Sequence, residues 1–270
     1  RFIDENGKVI KDKKKLKRLK NLVIPPMWEE VRICRFEDGH IQATGRDKKG
    51  RKQYIYHSIY EQKCQEEKFN KMSSFAMALP GIRKKAYKAL KAKEWNKTKV
   101  LGLMVLILDE YGIRIGNKYY QASNETIGLT TLRRKHMKIE GDGLVFHYTG
   151  KSKIERKVLI DDAELIKLIK ESAELPGYEI FRYQDESGNF QAVDSDEVNQ
   201  FINENMGEEY SSKYFRTWAA CRLAVEYYPK AWKELKKSKR KKFSNILIKM
   251  VASELGNTPT VCKSYYVHPA

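Results

Sequence analysis

Two arginines stand where a cation needs explaining. Arg114 lies in Ile113-Arg114-Ile115-Gly116-Asn117, just after the most apolar stretch of the chain and between Gly112 and Gly116. Its planar guanidinium can offer two donors at once to a phosphate, or it can be spent on a salt bridge to Asp109 or Glu110. Arg216 sits in Lys213-Tyr214-Phe215-Arg216-Thr217-Trp218, among aromatic and small residues on an otherwise apolar helix face. Burying an unpaired charge is costly, so this side chain needs a partner. Lys151 falls in Gly150-Lys151-Ser152-Lys153, a turn between two predicted strands, and so at a hairpin tip. Near the C-terminus, Leu255-Gly256-Asn257-Thr258-Pro259 precedes Ser264-Tyr265-Tyr266-Val267-His268-Pro269, with Asn257 nine residues before Tyr266. Read alone, either tyrosine is ordinary aromatic packing.

As an ordered set, Arg114, Lys151, Arg216, Asn257 and Tyr266 resemble the active site of type IB DNA topoisomerases of the short poxvirus-like and bacterial kind. The resemblance runs over essentially the whole chain. It includes Thr44-Gly45-Arg46-Asp47 through Gly50-Arg51-Lys52-Gln53-Tyr54, then Gly128-Leu129-Thr130-Thr131-Leu132, as well as the five segments already quoted. It implies an α+β fold, with a small antiparallel β domain over residues 1–68 serving as a DNA clamp. Residues 69–270 would form a mainly α catalytic domain with a small three-stranded sheet, the catalytic fold shared with tyrosine recombinases.

The chemistry the resemblance implies is nicking of one strand, strand rotation and resealing without an energy cofactor. The Tyr266 phenol attacks a backbone phosphodiester of double-stranded DNA, forming a 3′-phosphotyrosyl link and releasing a 5′ hydroxyl. The free end rotates, positive and negative supercoils relax, and the link is resealed without ATP or an obligatory metal. Arg114 and Arg216 would clamp the non-bridging oxygens in place of a metal ion. Lys151, on a flexible hairpin, would protonate the leaving 5′ oxygen. Asn257 would donate a hydrogen bond to a non-bridging oxygen, at a position where many relatives carry His. The nucleophile of the family directly precedes an aliphatic-His-Pro tail, which selects Tyr266 and leaves Tyr265 to packing, with His268 structural. A tyrosine recombinase is the nearest alternative. Recombinases generally carry His three residues before the second Arg, where this chain has Lys213, and they exchange a C-terminal element, whereas four residues follow Tyr266 here. A non-catalytic DNA-binding module on the same fold is the alternative from another class.

The elements that must position these residues follow from hydrophobic period and turn residues. Residues 1 to about 65 read as short strands, with turns at Glu5-Asn6-Gly7, Asp38-Gly39 and Asp47-Lys48-Lys49-Gly50. Amphipathic helices are predicted over Phe69 to Met77 and Gly81 to Ala92, and a buried central helix over Lys97 to Asp109. A three-stranded meander follows over His136 to Ile139, Leu144 to Tyr148 and Ile154 to Ile160. Helices are predicted over Asp162 to Ser172, Ser195 to Asn205, Ser212 to Tyr227 and Lys230 to Leu255, with Ser195 and Ser212 as N-caps and Gly256-Asn257-Thr258-Pro259 as the final stop.

Composition narrows the partner. The chain has 270 residues, 53 Lys+Arg and 35 Asp+Glu, for a formal net charge of +18. Residues 1–100 hold 27 Lys+Arg against 12 Asp+Glu, a net of +15, so the front of the chain carries most of the field. Such a field favours a polyanion. On the strand through Gln53, Tyr54 and Tyr56, beside Arg46, Lys48, Lys49, Arg51 and Lys52, basic groups suit phosphates, and Gln and Tyr can reach base edges. The resemblance gives Gln53, Tyr54 and Tyr56 a major-groove role and makes Tyr120 a DNA contact. The alternative for the two strand tyrosines is that they form the core of the β module. The runs Lys11 to Lys20 and Lys233 to Lys242 read as solvated faces that add salt-dependent affinity. Cys34, Cys64, Cys221 and Cys262 make no metal-binding pattern and read as reduced thiols of an intracellular protein, one without a membrane span, signal peptide or nucleotide cofactor. A monomer closing as a clamp around DNA is expected.

Overall fold

A computed structural model describes residues 2–118, 125–237 and 242–268. The fold is α+β, with small antiparallel sheets and a helical majority. Contacts divide the chain into two compact units, Arg1–Asn70 and Lys71–Ala270.

The first unit begins with an isolated bridge between Ile3 and Val9 around the Glu5-Asn6-Gly7 turn. Strands β1 (Glu29–Ile33), β2 (Ile41–Arg46) and β3 (Lys52–Tyr56) form an antiparallel meander in that order. Where only strands were expected, α1 (Lys13–Asn21) forms inside the first basic run. The physical reason lies at its ends and on one face. The Asp12 carboxylate accepts from the Lys14 and Lys15 amides at 2.8 and 3.1 Å, which starts the helix. Leu19 is buried, and Arg18 Nη2 donates to the carbonyls of Cys34 and Phe36 at 3.0 and 2.8 Å, tying the helix to the sheet.

Helix α2 (Ser58–Leu90) is one element, where two were expected, and it runs straight through Pro80. Proline removes one helical hydrogen bond, but Phe75, Leu79, Ile82, Ala86 and Leu90 recur on one buried face on both sides of it. Packing along that face outweighs the lost bond. In the second unit α3 (Lys97–Tyr111) starts at Asn96, whose side chain accepts from the Lys99 amide at 3.0 Å, and is buried from Lys99 to Asp109. Strands β4 (Met137–Glu140), β5 (Gly143–Thr149) and β6 (Glu155–Ile160) make the expected antiparallel meander. Helix α4 (Ala163–Glu174) follows, then the hairpin β7 (Arg182–Gln184) and β8 (Phe190–Ala192), which sequence patterning did not reveal because each strand has three residues.

Helices α5 (Ser195–Met206), α6 (Ser212–Lys236), α7 (Phe243–Leu255) and α8 (Pro259–Tyr265) complete the unit. Two expectations need correction here. The caps of α5 and α6 are Asp194 and Ser211, one residue before the serines that the sequence pattern predicts; Asp194 and Glu197 form a reciprocal capping box. Helix α6 also passes through Pro229 to Lys236, so the break expected near residue 228 does not occur. Trp218, Tyr210, Tyr214 and Phe215 surround Phe75, with the Phe215 ring edge-on to Phe75 at 5.1 Å between centroids. A second core, Ala219, Ala220, Leu223, Ile248, Val251, Ala252, Leu255 and Cys262, locks α6, α7 and α8 together, and Tyr266 and Val267 pack against it.

Candidate active site

Four of the five candidate catalytic residues converge within the second unit. The segment carrying Arg114 leaves α3 through Gly112 and is clipped to residues 128–130, because Leu129 and Thr130 donate their amides to the Arg114 and Ile115 carbonyls, both at 2.8 Å. The clip depends on a backbone-to-backbone contact between two glycines. A Cβ at Gly128 would stand 2.5 Å from the Gly116 Cα and 2.7 Å from the Arg114 carbonyl oxygen. We expect Gly128→Ala to destabilise the fold by about 1–3 kcal/mol, the usual cost of overpacking. Chemical denaturation should show this as a lower midpoint at unchanged slope.

The salt bridge that would have made Arg114 ordinary does not form. Asp109 is engaged by Arg83, whose Nε donates at 2.6 Å, and Glu110 by Arg222 Nη1 at 3.0 Å. Arg114, half-buried, turns instead to the far end of α7. Its Nη2 donates to Asn257 Oδ1, and its Nη1 lies 3.4 Å from the Gly256 carbonyl.

Arg216, in the second turn of α6, is 4% exposed. Its guanidinium donates to the Gly112 carbonyl at 2.5 Å, to the Leu255 carbonyl, and to Asn257 Oδ1 at 3.0 Å. One amide oxygen therefore joins both guanidiniums. All three acceptors of Arg216 are neutral, so its charge is hydrogen-bonded without being cancelled. Burial first, then the neighbouring Arg114 charge, brings the Arg216 pKa down to about 10, and burial also lowers that of Arg114. The Tyr266 phenol adjoins both guanidiniums and works against that shift, and its ring centroid lies 5.4 Å from Arg216 Cζ. Arg216 Nε and Asn257 Nδ2 are buried and lack a hydrogen-bond partner among the described residues. The site is thus a desolvated pair of cations with idle donors, which is what an oxyanion needs.

Helix α8 delivers Tyr266, and Pro259 begins this helix as well as ending the one before it. Thr258 and Pro259 are its N-cap and first residue, with Thr258 Oγ1 accepting from the Val261 amide at 3.3 Å. Cys262 seats the helix in the core, and Tyr266, at its C-cap, is half-buried, whereas Tyr265 is 42% exposed. Lys151 stands apart. It is exposed on a short turn between β5 and β6, in which Ser152 and Lys153 take positive φ angles of 64° and 56°, and among the described residues no hydrogen bond links it to the other four.

In the first unit, Tyr54 and Tyr56 are 41% and 39% exposed, so they are not its core. Their rings stack at 5.9 Å, and Tyr60 and His40 extend the row at 5.7 and 4.9 Å. Tyr60 and His40 were missed because they come from another helix and another turn. Gln53, half-buried, donates to Asp47 Oδ2 at 3.0 Å. Arg51 holds the same carboxylate and lowers its pKa to about 2. Tyr120 lies outside the described residues.

No group of three or more His, Cys, Asp or Glu among the described residues is arranged to hold a metal ion. Anion binding is testable on the protein alone. At ten times its Kd, an oxyanion such as vanadate would add about 1.4 kcal/mol, a rise of roughly 3–6 °C in Tm for a domain of this size. At matched ionic strength that rise should be absent from Arg216→Ala.

Residues 57–269 match the family model of the eukaryotic DNA topoisomerase I catalytic core, and residues 1–47 match that of the bacterial DNA topoisomerase IB N-terminal domain. The chain is 33% identical to DNA topoisomerase 1B of Acanthamoeba polyphaga mimivirus over 98% of its own length and 81% of that protein. It is 25% identical to DNA topoisomerase I of Monkeypox virus over 91% of its own length and 74% of that protein. A crystal structure of the XerH site-specific recombinase bound to palindromic difH substrate superposes with a TM-score of 0.42 at 16% identity, covering 69% of this chain and 47% of that chain. Matched by a topoisomerase model in each of its two parts, and similar along nearly its whole length to a viral enzyme of the same class, the chain belongs to the short type IB DNA topoisomerases.

Proposed function

We propose that this topoisomerase cleaves duplex DNA through Tyr266, with Arg114, Arg216 and Asn257 holding the scissile phosphate and Lys151 supplying the proton to the leaving strand. The observation that carries the reading is the single amide oxygen of Asn257 shared by two uncancelled guanidiniums beside the Tyr266 phenol. In the transition state negative charge grows on the non-bridging oxygens, and the idle donors Asn257 Nδ2 and Arg216 Nε are available to meet it. As the phenol oxygen bonds to phosphorus, the bond to the 5′ oxygen breaks and Lys151 protonates that oxygen. The phosphotyrosyl bond keeps the energy of the broken linkage, so resealing needs no nucleotide. Lys151 reaches the phosphate from its exposed turn once DNA is bound.

The first unit grips the duplex, as a monomeric clamp closed by both units. Tyr54 and Tyr56 face the groove, with Lys52 Nζ 5.5 Å from the Tyr54 ring, and Gln53 acts on the opposite face of β3 through Asp47. Tyr120 contacts DNA in the segment after Gly116. No helix among the described residues is long and apolar enough to cross a membrane. The enzyme works where duplex DNA is kept, the nucleoid of a bacterium or the virion and infected cell of a virus.

The test is relaxation of negatively and positively supercoiled plasmid in EDTA without ATP. Both substrates should relax, and failure to relax either one overturns the reading. Strand exchange between two defined sites would select the recombinase, and DNA binding without any relaxation the non-catalytic module.

A further inference from the structure

Arg156 is a buried charge beside the site that the reaction as proposed leaves unused. It occupies an inward position of β6, in phase with Val158 and Ile160, and is 5% exposed. A cation on the core face of a strand is expensive unless it is paired. Among the described residues Arg156 has no ion pair, and its Nη1 reaches only the Ser253 carbonyl, at 3.5 Å. Its charge also adds to the burial that lowers the pKa of Arg114 and Arg216, so it makes an already cationic pocket more so.

Its side chain lies against two glycines, one on each arm of the site. A Cβ at Gly150 would stand 3.2 Å from Arg156 Cγ, and a Cβ at Gly256 would stand 2.2 Å from Cδ and 2.3 Å from Nη1. Gly150 immediately precedes Lys151; Gly256, with φ +57°, immediately precedes Asn257 and presents its carbonyl to Arg114. Both glycines leave room for this one side chain. We propose that Arg156 is a positioning residue that holds the Lys151 turn against the corner at Gly256 and Asn257, so that the proton donor and the arginine clamp meet the same phosphate. The proposal rests on Lys151 being the general acid.

The experiment compares two leaving groups in single-turnover cleavage of a duplex carrying one mapped cleavage site. With the natural linkage, the bond from phosphorus to the 5′ oxygen breaks and that oxygen takes a proton from Lys151, while the phenol proton goes to solvent. With sulfur in place of the 5′ oxygen, the thiolate leaves without a proton. Arg156→Gln should cleave the oxygen substrate about 10²-fold more slowly, within the range of general acid catalysis, and the sulfur substrate at the parent's rate. Arg156→Lys should show the same split to a smaller degree, and it carries the test if Arg156→Gln does not fold. Equal loss on both substrates, the result if Arg156 acts on the phosphate or only supports the fold, overturns the proposal, and so does no loss on either. Lys151→Ala is the separate control: if sulfur does not restore its cleavage, it is the general-acid reading that fails.

Discussion

Tyr266→Phe should abolish plasmid relaxation and the covalent protein–DNA complex, with a rate loss on the order of 10⁵ or more, the scale seen when a covalent nucleophile is removed. The substitution deletes one oxygen and keeps the ring that packs on the core of α6, α7 and α8, so Tm should stay near the parent's. Tyr265→Phe is the internal control. Its ring is 42% exposed, and cleavage should proceed at close to the parent rate. Denaturing gel electrophoresis with end-labelled duplex reads both outcomes. Persistence of the covalent complex in Tyr266→Phe, or its loss in Tyr265→Phe, would move the nucleophile to the neighbouring residue.

Asn257→Asp separates activity from stability. The carboxylate is nearly isosteric with the amide and keeps the oxygen shared by Arg114 and Arg216. It adds the negative charge that these guanidiniums lack, so thermal unfolding should move to higher temperature. The same change replaces the idle Nδ2 donor with an acceptor that repels the non-bridging oxygens. Cleavage should fall by about 10²–10³-fold, the cost of losing a donor to a developing oxyanion, and further as the carboxylate cancels the pocket's charge. A purely structural Asn257 would give the opposite pattern, with Tm lowered and cleavage reduced only as far as folding is. The vanadate-induced rise in Tm should also vanish in this variant, which ties the electrostatic argument to an equilibrium measurement.

The proposed catalytic set is open to a sequence reading because each member lies in a short local motif and the order of motifs carries the resemblance. What sits opposite each motif is less legible. Whether Arg114 pairs with Asp109 or Glu110 depends on Arg83, 26 residues before Asp109, and on Arg222, 112 residues after Glu110, and no local pattern ranks those competitors. Helix α8 was hidden by the two uses of proline, which ends one helix and begins the next. Pro80 and Pro229 misled in the opposite direction, since the apolar face of α2 and the packing of α6 carry each helix through its breaker. Arg156 did leave a signal, a basic residue in the inward phase of an alternating strand, but its meaning requires the two glycines it covers.

The strong positive charge, several of the longer secondary-structure segments and the ordered residues that resemble a type IB enzyme can be read directly from the amino acids, because composition, period and short motifs are properties of neighbours along the chain. The partners of those residues cannot. One Asn257 oxygen joins Arg114 and Arg216 across separations of 143 and 41 residues, and among the described residues Asn257 Nδ2 and Arg216 Nε meet no hydrogen-bond partner. A candidate anion site is defined by which side chains reach one volume, and only folding defines that volume.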